Sequence, residues 1–195
     1  HCVVDLSAFY LDITKDRLYA SAADDRARRA AQTVMAHELH ALMTLVAPVL
    51  SHLAEDIHDH LPETLRTEAG SVFLLDFPEV PEAWTVSDED QQLWDRLMVV
   101  RQEVQGQLEQ ARQAREIGSS VEAEVVMTEL PLDPEELAEV LNVSRVRLGT
   151  GRSVAHAGGE KCPRCWKQVE VLLPARGCCA RCEDVLAALA VPAST

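Results

Sequence analysis

Lys161-Cys162-Pro163-Arg164-Cys165-Trp166, answered by Cys179-Ala180-Arg181-Cys182, is the stretch around which the rest of the chain is read. Two Cys-x-x-Cys knuckles stand thirteen residues apart. Paired tight turns of this kind deliver four thiolates to one tetrahedral zinc ion, and the intervening loop can bring the second pair onto the first. The spacing predicts one structural zinc per chain, held by Cys162, Cys165, Cys179 and Cys182. Cys178 adjoins Cys179 and could compete with it, but Cys179 restores the x-x spacing to Cys182. Disulfides would need an oxidising compartment, of which the sequence gives no sign. A catalytic zinc would need an open position, which four thiolates do not leave.

The same stretch is locally basic. Lys161, Arg164, Lys167, Arg176 and Arg181 face two acids between positions 160 and 182, whereas the 159 preceding residues carry 13 basic and 28 acidic side chains. Trp166 lies just outside a predicted ligand. Two roles suit it: a stacking face for an unpaired base within a phosphate-touching surface, or a hydrophobic lid over the metal.

Outward from the knuckles, composition bounds the rest. The 195 residues suffice for one medium domain and a small one. Hydrophobic residues make up 47% but aromatics only 4%, so the core must rest on Leu, Val and Ala, which favours helices. The net charge of −14 argues against a general nucleic-acid coat and leaves polyanion recognition to local contacts. Neither an 18-residue apolar window nor a signal peptide is present, and the thiol usage suits a reducing cytoplasm. The opening His1-Cys2-Val3-Val4 reads as the middle of a longer protein.

Hydrophobic periodicity predicts helices over 5–18, 24–47, 49–61, 87–117, 134–141 and 183–190, with Pro48 interrupting the second from the third. In the second, Ala27, Ala31, Val34, Leu39, Leu42, Leu45 and Val46 form the expected buried stripe. In the fourth, Leu93, Leu97, Val100, Val104, Leu108 and Ala111 do so, with Arg96, Arg101, Arg112 and Arg115 turned outward. Ser87 and Asp133 are the expected caps, and Gly118 the stop signal. Strands are expected at 121–128 and 143–148, a brief strand or an extended connector at 71–77, and Ser153–Ala155 can pair. The histidine pairs His37/His40 and His58/His60 read as solvated helix surface rather than a second metal site. The fold class is mainly α: a helical bundle over 1–118, a small α/β junction over 119–158 and a zinc ribbon over 159–195. Phosphate loops and nucleophile elbows are missing. From chemistry alone the chain reads as a binding module for something anionic.

A family resemblance goes further. Val4-Asp5-Leu6-Ser7-Ala8-Phe9-Tyr10-Leu11-Asp12-Ile13-Thr14-Lys15-Asp16-Arg17-Leu18-Tyr19 resembles the start of the anticodon-binding domain of isoleucyl-tRNA synthetases. Residues 45–57, with Pro48 between two helical runs, are similar to an element shared by the class I synthetases of aliphatic amino acids. Residues 99–112 and 117–123 resemble the long helix and following strand, and the double knuckle resembles the C-terminal zinc module of the bacterial isoleucyl enzymes. The resemblance implies a tRNA(Ile) partner, a bundle that grips the anticodon stem and loop, and a zinc module that closes over the anticodon. Arg164 and Trp166 match the family's recognition residues, and Lys161, Lys167 and Arg181 are the further tRNA-binding candidates. It implies a cytoplasmic, monomeric parent ligase that joins isoleucine to tRNA with ATP and Mg²⁺. The signatures of its nucleotide site, and its editing domain, do not occur in these residues. The expectation is binding without catalysis, with no DNA and no membrane partner. Two competing readings are a zinc ribbon of the DNA-repair glycosylase kind and a zinc-stapled protein–protein adaptor.

Overall fold

The structure, a computed structural model, describes residues 1–190. It is mainly helical, and its contacts divide it into two compact units. One gathers residues 1–23 with those from 86 onward; the other is Asp24–Thr85. Packing thus cuts across the linear segmentation: the first 23 residues belong with the C-terminal half, because their long-range partners lie there.

The smaller unit holds α2 (Arg26–Val46) and α3 (Ser51–Asp59). Asp25 caps α2 by accepting from the Arg28 backbone N–H at 2.7 Å. The Pro48 region breaks the helix as expected, with Ala47 as the C-cap and α3 beginning four residues later. The core is small: Met43, Ala47, Ala54, Leu61 and Val72, with Leu39, Val46, Ile57 and Leu75 against it. Val34 and Leu45, expected in the buried stripe of α2, are exposed. The packed face runs instead through Leu39, Met43, Val46 and Ala47, since only the C-terminal half of α2 meets the core of its own unit. Of the two readings of 71–77, a brief strand or an extended connector, the strand does not form. Val72–Leu74 is a single 3₁₀ turn, and the Glu55 carboxylate accepts from Ser71 Oγ (2.9 Å) and the Val72 N–H (3.0 Å). A strand needs a ladder partner, and among the described residues this unit supplies none.

In the larger unit the first helix is longer than expected. Cys2–Tyr10 is wound as a π-helix and continues directly into α1 (Leu11–Ala20). The long α4 (Asp88–Gln113) starts at Ser87, which accepts from the Asp90 N–H at 3.1 Å. It ends five residues before Gly118. Arg115 adopts a left-handed φ of 59°, and the Arg115 and Glu116 N–H groups return to the Arg112 and Ala111 carbonyls. That is a Schellman stop with arginine where glycine is usual. The junction is a three-stranded sheet of order β2-β1-β3. β1 (Ala123–Met127) pairs in parallel with β2 (Arg145–Leu148) and antiparallel with β3 (Ser153–His156). The crossover from β1 to β2 carries α5 (Pro134–Leu141), capped by Asp133 with Pro134 in its first turn. Leu97, Val104 and Leu108 of α4, Val125 and Met127 of β1 and Leu137 and Leu141 of α5 form the main core.

Arg101, expected outward, is only 8% exposed. Its guanidinium lies 4.6 Å from the centre of the Phe9 ring and donates through Nε to the Val140 carbonyl at 3.2 Å. An arginine can be buried there because its planar head stacks on the ring while it satisfies a carbonyl of the last turn of α5, which has no intrahelical donor.

Candidate metal centre and nucleic-acid interface

The zinc-module segment folds on a short ribbon. β4 (Glu160–Lys161) pairs antiparallel with β5 (Gln168–Val169), and α6 (Ala180–Ala190) starts inside the second knuckle. The turn between β4 and β5 is the first knuckle, closed by Trp166 N–H to the Cys162 carbonyl (2.8 Å) and Cys162 N–H to the Lys167 carbonyl (3.0 Å). Gly159 is required beside it. At φ 82° a Cβ would lie 2.2 Å from the Val169 carbonyl oxygen.

The four predicted ligands converge. The sulfurs of Cys162, Cys165, Cys179 and Cys182 all lie within 4.8 Å of one another, and three of the four residues are buried. Cys165 and Cys179 Sγ are 3.8 Å apart. Zinc–thiolate bonds of about 2.3 Å in a tetrahedron put sulfurs about 3.8 Å apart, whereas a disulfide needs about 2.05 Å. The donor set therefore fits a four-thiolate metal ion. Burial opposes ionisation of Cys162, but N–H donors of Cys165, Cys179 and Arg164 outweigh it and hold the thiol at about 6. Burial pushes the Cys179 thiol up to about 12. Cys178 stands outside the quartet with its Sγ turned towards Glu183, 3.6 Å away. Val169, Leu172 and Leu186 pack around the sulfurs.

Those aliphatic residues supply hydrophobic cover, and Trp166 is not among them. It is 63% exposed and adopts a left-handed φ of 65°. That conformation is a genuine outlier for a bulky side chain, and such strain persists only where the surroundings over-determine it.

The basic candidates surround the knuckles as the sequence suggested, but each already has a partner. Arg181 forms a two-pronged bridge to Asp16 of α1, at 2.6 and 2.7 Å, and Lys167 lies 3.5 Å from the same carboxylate. Arg164 donates to the Ala20 and Tyr19 carbonyls, the last two of α1, and approaches Cys182 Sγ at 3.6 Å. Lys161 bridges Glu122 at 2.8 Å. Burial would raise the Asp16 carboxyl, but the hydrogen bond from Arg181 and the Lys167 charge more than offset it and keep the group below its ordinary range. The Arg181 guanidinium is shifted up, chiefly by its hydrogen bond to Asp16. Of the five candidate recognition residues, Trp166 alone presents a largely exposed side chain with no side-chain partner among the contacts resolved in the described residues.

Sequence reasoning missed the polar side of α1 that faces the C-terminal half. Asp12, Asp16 and Arg17 lie on one side of α1, where they meet Asn142, Arg181 and Glu139 respectively. The signal was their i, i+4, i+5 spacing, but the partners lie 122 to 165 residues away in the chain.

Helical packing with a four-cysteine cluster that can hold a metal ion defines a mainly α protein with a small sheet. The family model for the anticodon-binding domain of tRNA ligase matches residues 1–127, and the chain belongs to that family. Similar curated proteins include the isoleucine–tRNA ligases of Nitratidesulfovibrio vulgaris (strain Miyazaki F), 38% identical over 95% of this chain, and of Natranaerobius thermophilus, 37% identical over 95%. That of Gloeobacter violaceus is 42% identical over 85%. The matched regions are 22%, 23% and 18% of those proteins, so the chain spans about a fifth of the length of the relatives it matches. Among the described residues no helix is long and apolar enough to cross a membrane.

Proposed function

We propose that this chain recognises the anticodon of tRNA(Ile) on behalf of an isoleucine–tRNA ligase, the cytoplasmic enzyme of translation that joins isoleucine to tRNA using ATP and Mg²⁺. Residues 1–118 act as the anticodon-stem and loop-binding bundle, 119–158 as the junction and 159–195 as the zinc module. The metal is zinc in a structural role, held by Cys162, Cys165, Cys179 and Cys182. When bound, it fastens the two knuckles together.

The observation that carries this reading is Trp166. An exposed indole held in a strained backbone conformation beside the metal cluster is what stacking on an unpaired base needs. Such stacking contributes on the order of 1–3 kcal/mol. Arg164, Lys161, Lys167 and Arg181 make phosphate or base-edge contacts only by sharing or exchanging their present partners, so the nearby indole is the primary contact. The overall charge of −14 repels a polyanion at long range, so the affinity is local in origin.

Fluorescence anisotropy with a labelled tRNA(Ile) transcript at fixed salt tests the reading. The zinc-loaded chain is expected to bind it more tightly than a non-cognate tRNA. Chelation should abolish that preference, and Trp166→Ala should weaken it roughly tenfold. Equal binding of both tRNAs by folded, zinc-loaded protein would reduce the metal to a staple and remove anticodon recognition from this chain.

A further inference from the structure

We infer that Asp16 is a positioning residue for anticodon recognition: it seats the zinc module on the C-terminal end of α1 and so sets the direction in which Trp166 points. This rests on the function proposed above and adds to it a residue with no direct contact to tRNA.

Three cations from both knuckles converge on one helix end. Arg181, from the second knuckle, grips both Asp16 oxygens. Lys167, next to Trp166 in sequence, reaches the same carboxylate, and Arg164, two residues before Trp166, reaches the terminal carbonyls of α1. Helix C-termini attract cations because their last carbonyls lack donors. Asp16 extends that negative end with a full charge, and its side chain is only 16% exposed. Trp166 thus lies between two residues tied to α1. On its other side the module meets the junction, where Ser144 Oγ accepts from the Gln168 N–H at 2.7 Å and Glu122 holds Lys161. Those two contacts fix the ribbon strands. The knuckles are tied separately to α1, through Asp16 and the terminal carbonyls of the helix.

Charge makes the test decisive. Asp16→Asn removes a negative charge and releases two cations, so if these cations acted directly on tRNA, affinity would rise. Loss of positioning predicts the opposite. At fixed salt, Asp16→Asn is expected to weaken tRNA(Ile) binding roughly fivefold with zinc content and helical circular dichroism unchanged. The double variant Asp16→Asn/Trp166→Ala should bind no more weakly than Trp166→Ala alone. Arg181→Gln, which opens the same bridge from the module side, should reproduce the loss, and Arg181→Gln/Trp166→Ala should bind no more weakly than Trp166→Ala alone, whereas a direct Arg181 contact to tRNA would make the two losses add; this arm can be read even if Asp16→Asn folds poorly. Tighter or unchanged binding by Asp16→Asn, or losses that add to that of Trp166→Ala, would overturn the positioning role. A Trp166→Ala chain that binds as well as the parent would instead overturn the functional reading beneath it.

Discussion

Two bulky residues adopt left-handed backbone conformations, and the two answer to different needs. Arg115 sits at the stop of α4, where a glycine would serve the same hydrogen bonds without a Cβ penalty. Arg115→Gly should therefore raise stability by about 0.5–1 kcal/mol, read from the urea midpoint. Trp166 holds the same conformation inside the knuckle. Trp166→Gly should relieve roughly 1 kcal/mol of strain and make zinc harder to remove by chelator competition, while tRNA binding falls. A variant with both weaker zinc retention and weaker binding would mean that the indole is structural. Opposite movements of the two readouts would mean that strain is kept at this position for recognition.

At the scale of elements, the polar side of α1 and the buried arginine of α4 decide which helices hold the C-terminal half. Arg101→Ala removes the ring contact with Phe9 and leaves the Val140 carbonyl without its side-chain donor. A loss of about 2–3 kcal/mol in denaturant unfolding is expected, far above that of an outward arginine such as Arg112. The Asp16 bridge has a defined pH signature. Its carboxyl is held below its unfolded value, so its contribution is complete above the ordinary carboxylate range and is lost as pH falls through the folded value. The stability gap between the parent chain and Asp16→Asn should be constant above about pH 5 and close progressively below about pH 4. Acid also protonates the thiolates, but that affects both chains alike, so the gap isolates the bridge.

For the whole molecule, separate cores imply separable stability. The cluster around the sulfurs shares no member with the α4–sheet core or with the core of residues 24–85. Metal removal should therefore unfold locally rather than globally. Hydrogen exchange after chelation is expected to lose protection across residues 160–190 while the amides of 93–111 and 123–127 stay protected. Simultaneous collapse of all three clusters would show that the metal supports the entire chain.

What was legible in the sequence was whatever depends on local chemistry. Cysteine spacing picked out the four cysteines whose sulfurs converge and left Cys178 aside, and caps at Ser87 and Asp133 marked helix starts, because those signals lie within a turn or two of their effects. The strand reading of 71–77 failed, leaving the connector reading, because a strand is a relation between segments, and no partner segment is there among the described residues. Arg101 could be placed only once Phe9 and Val140 were known to surround it. The basic residues of the knuckles were visible as charges, but Asp16 and Glu122, which hold three of them, and the end of α1, which holds Arg164, lie far away along the chain. Sequence by itself determined the donor set, the helical class and the family likeness. Tertiary structure decided which cations are already engaged and which aromatic face is left exposed, because charge pairing and burial depend on distances in space that residue order does not contain.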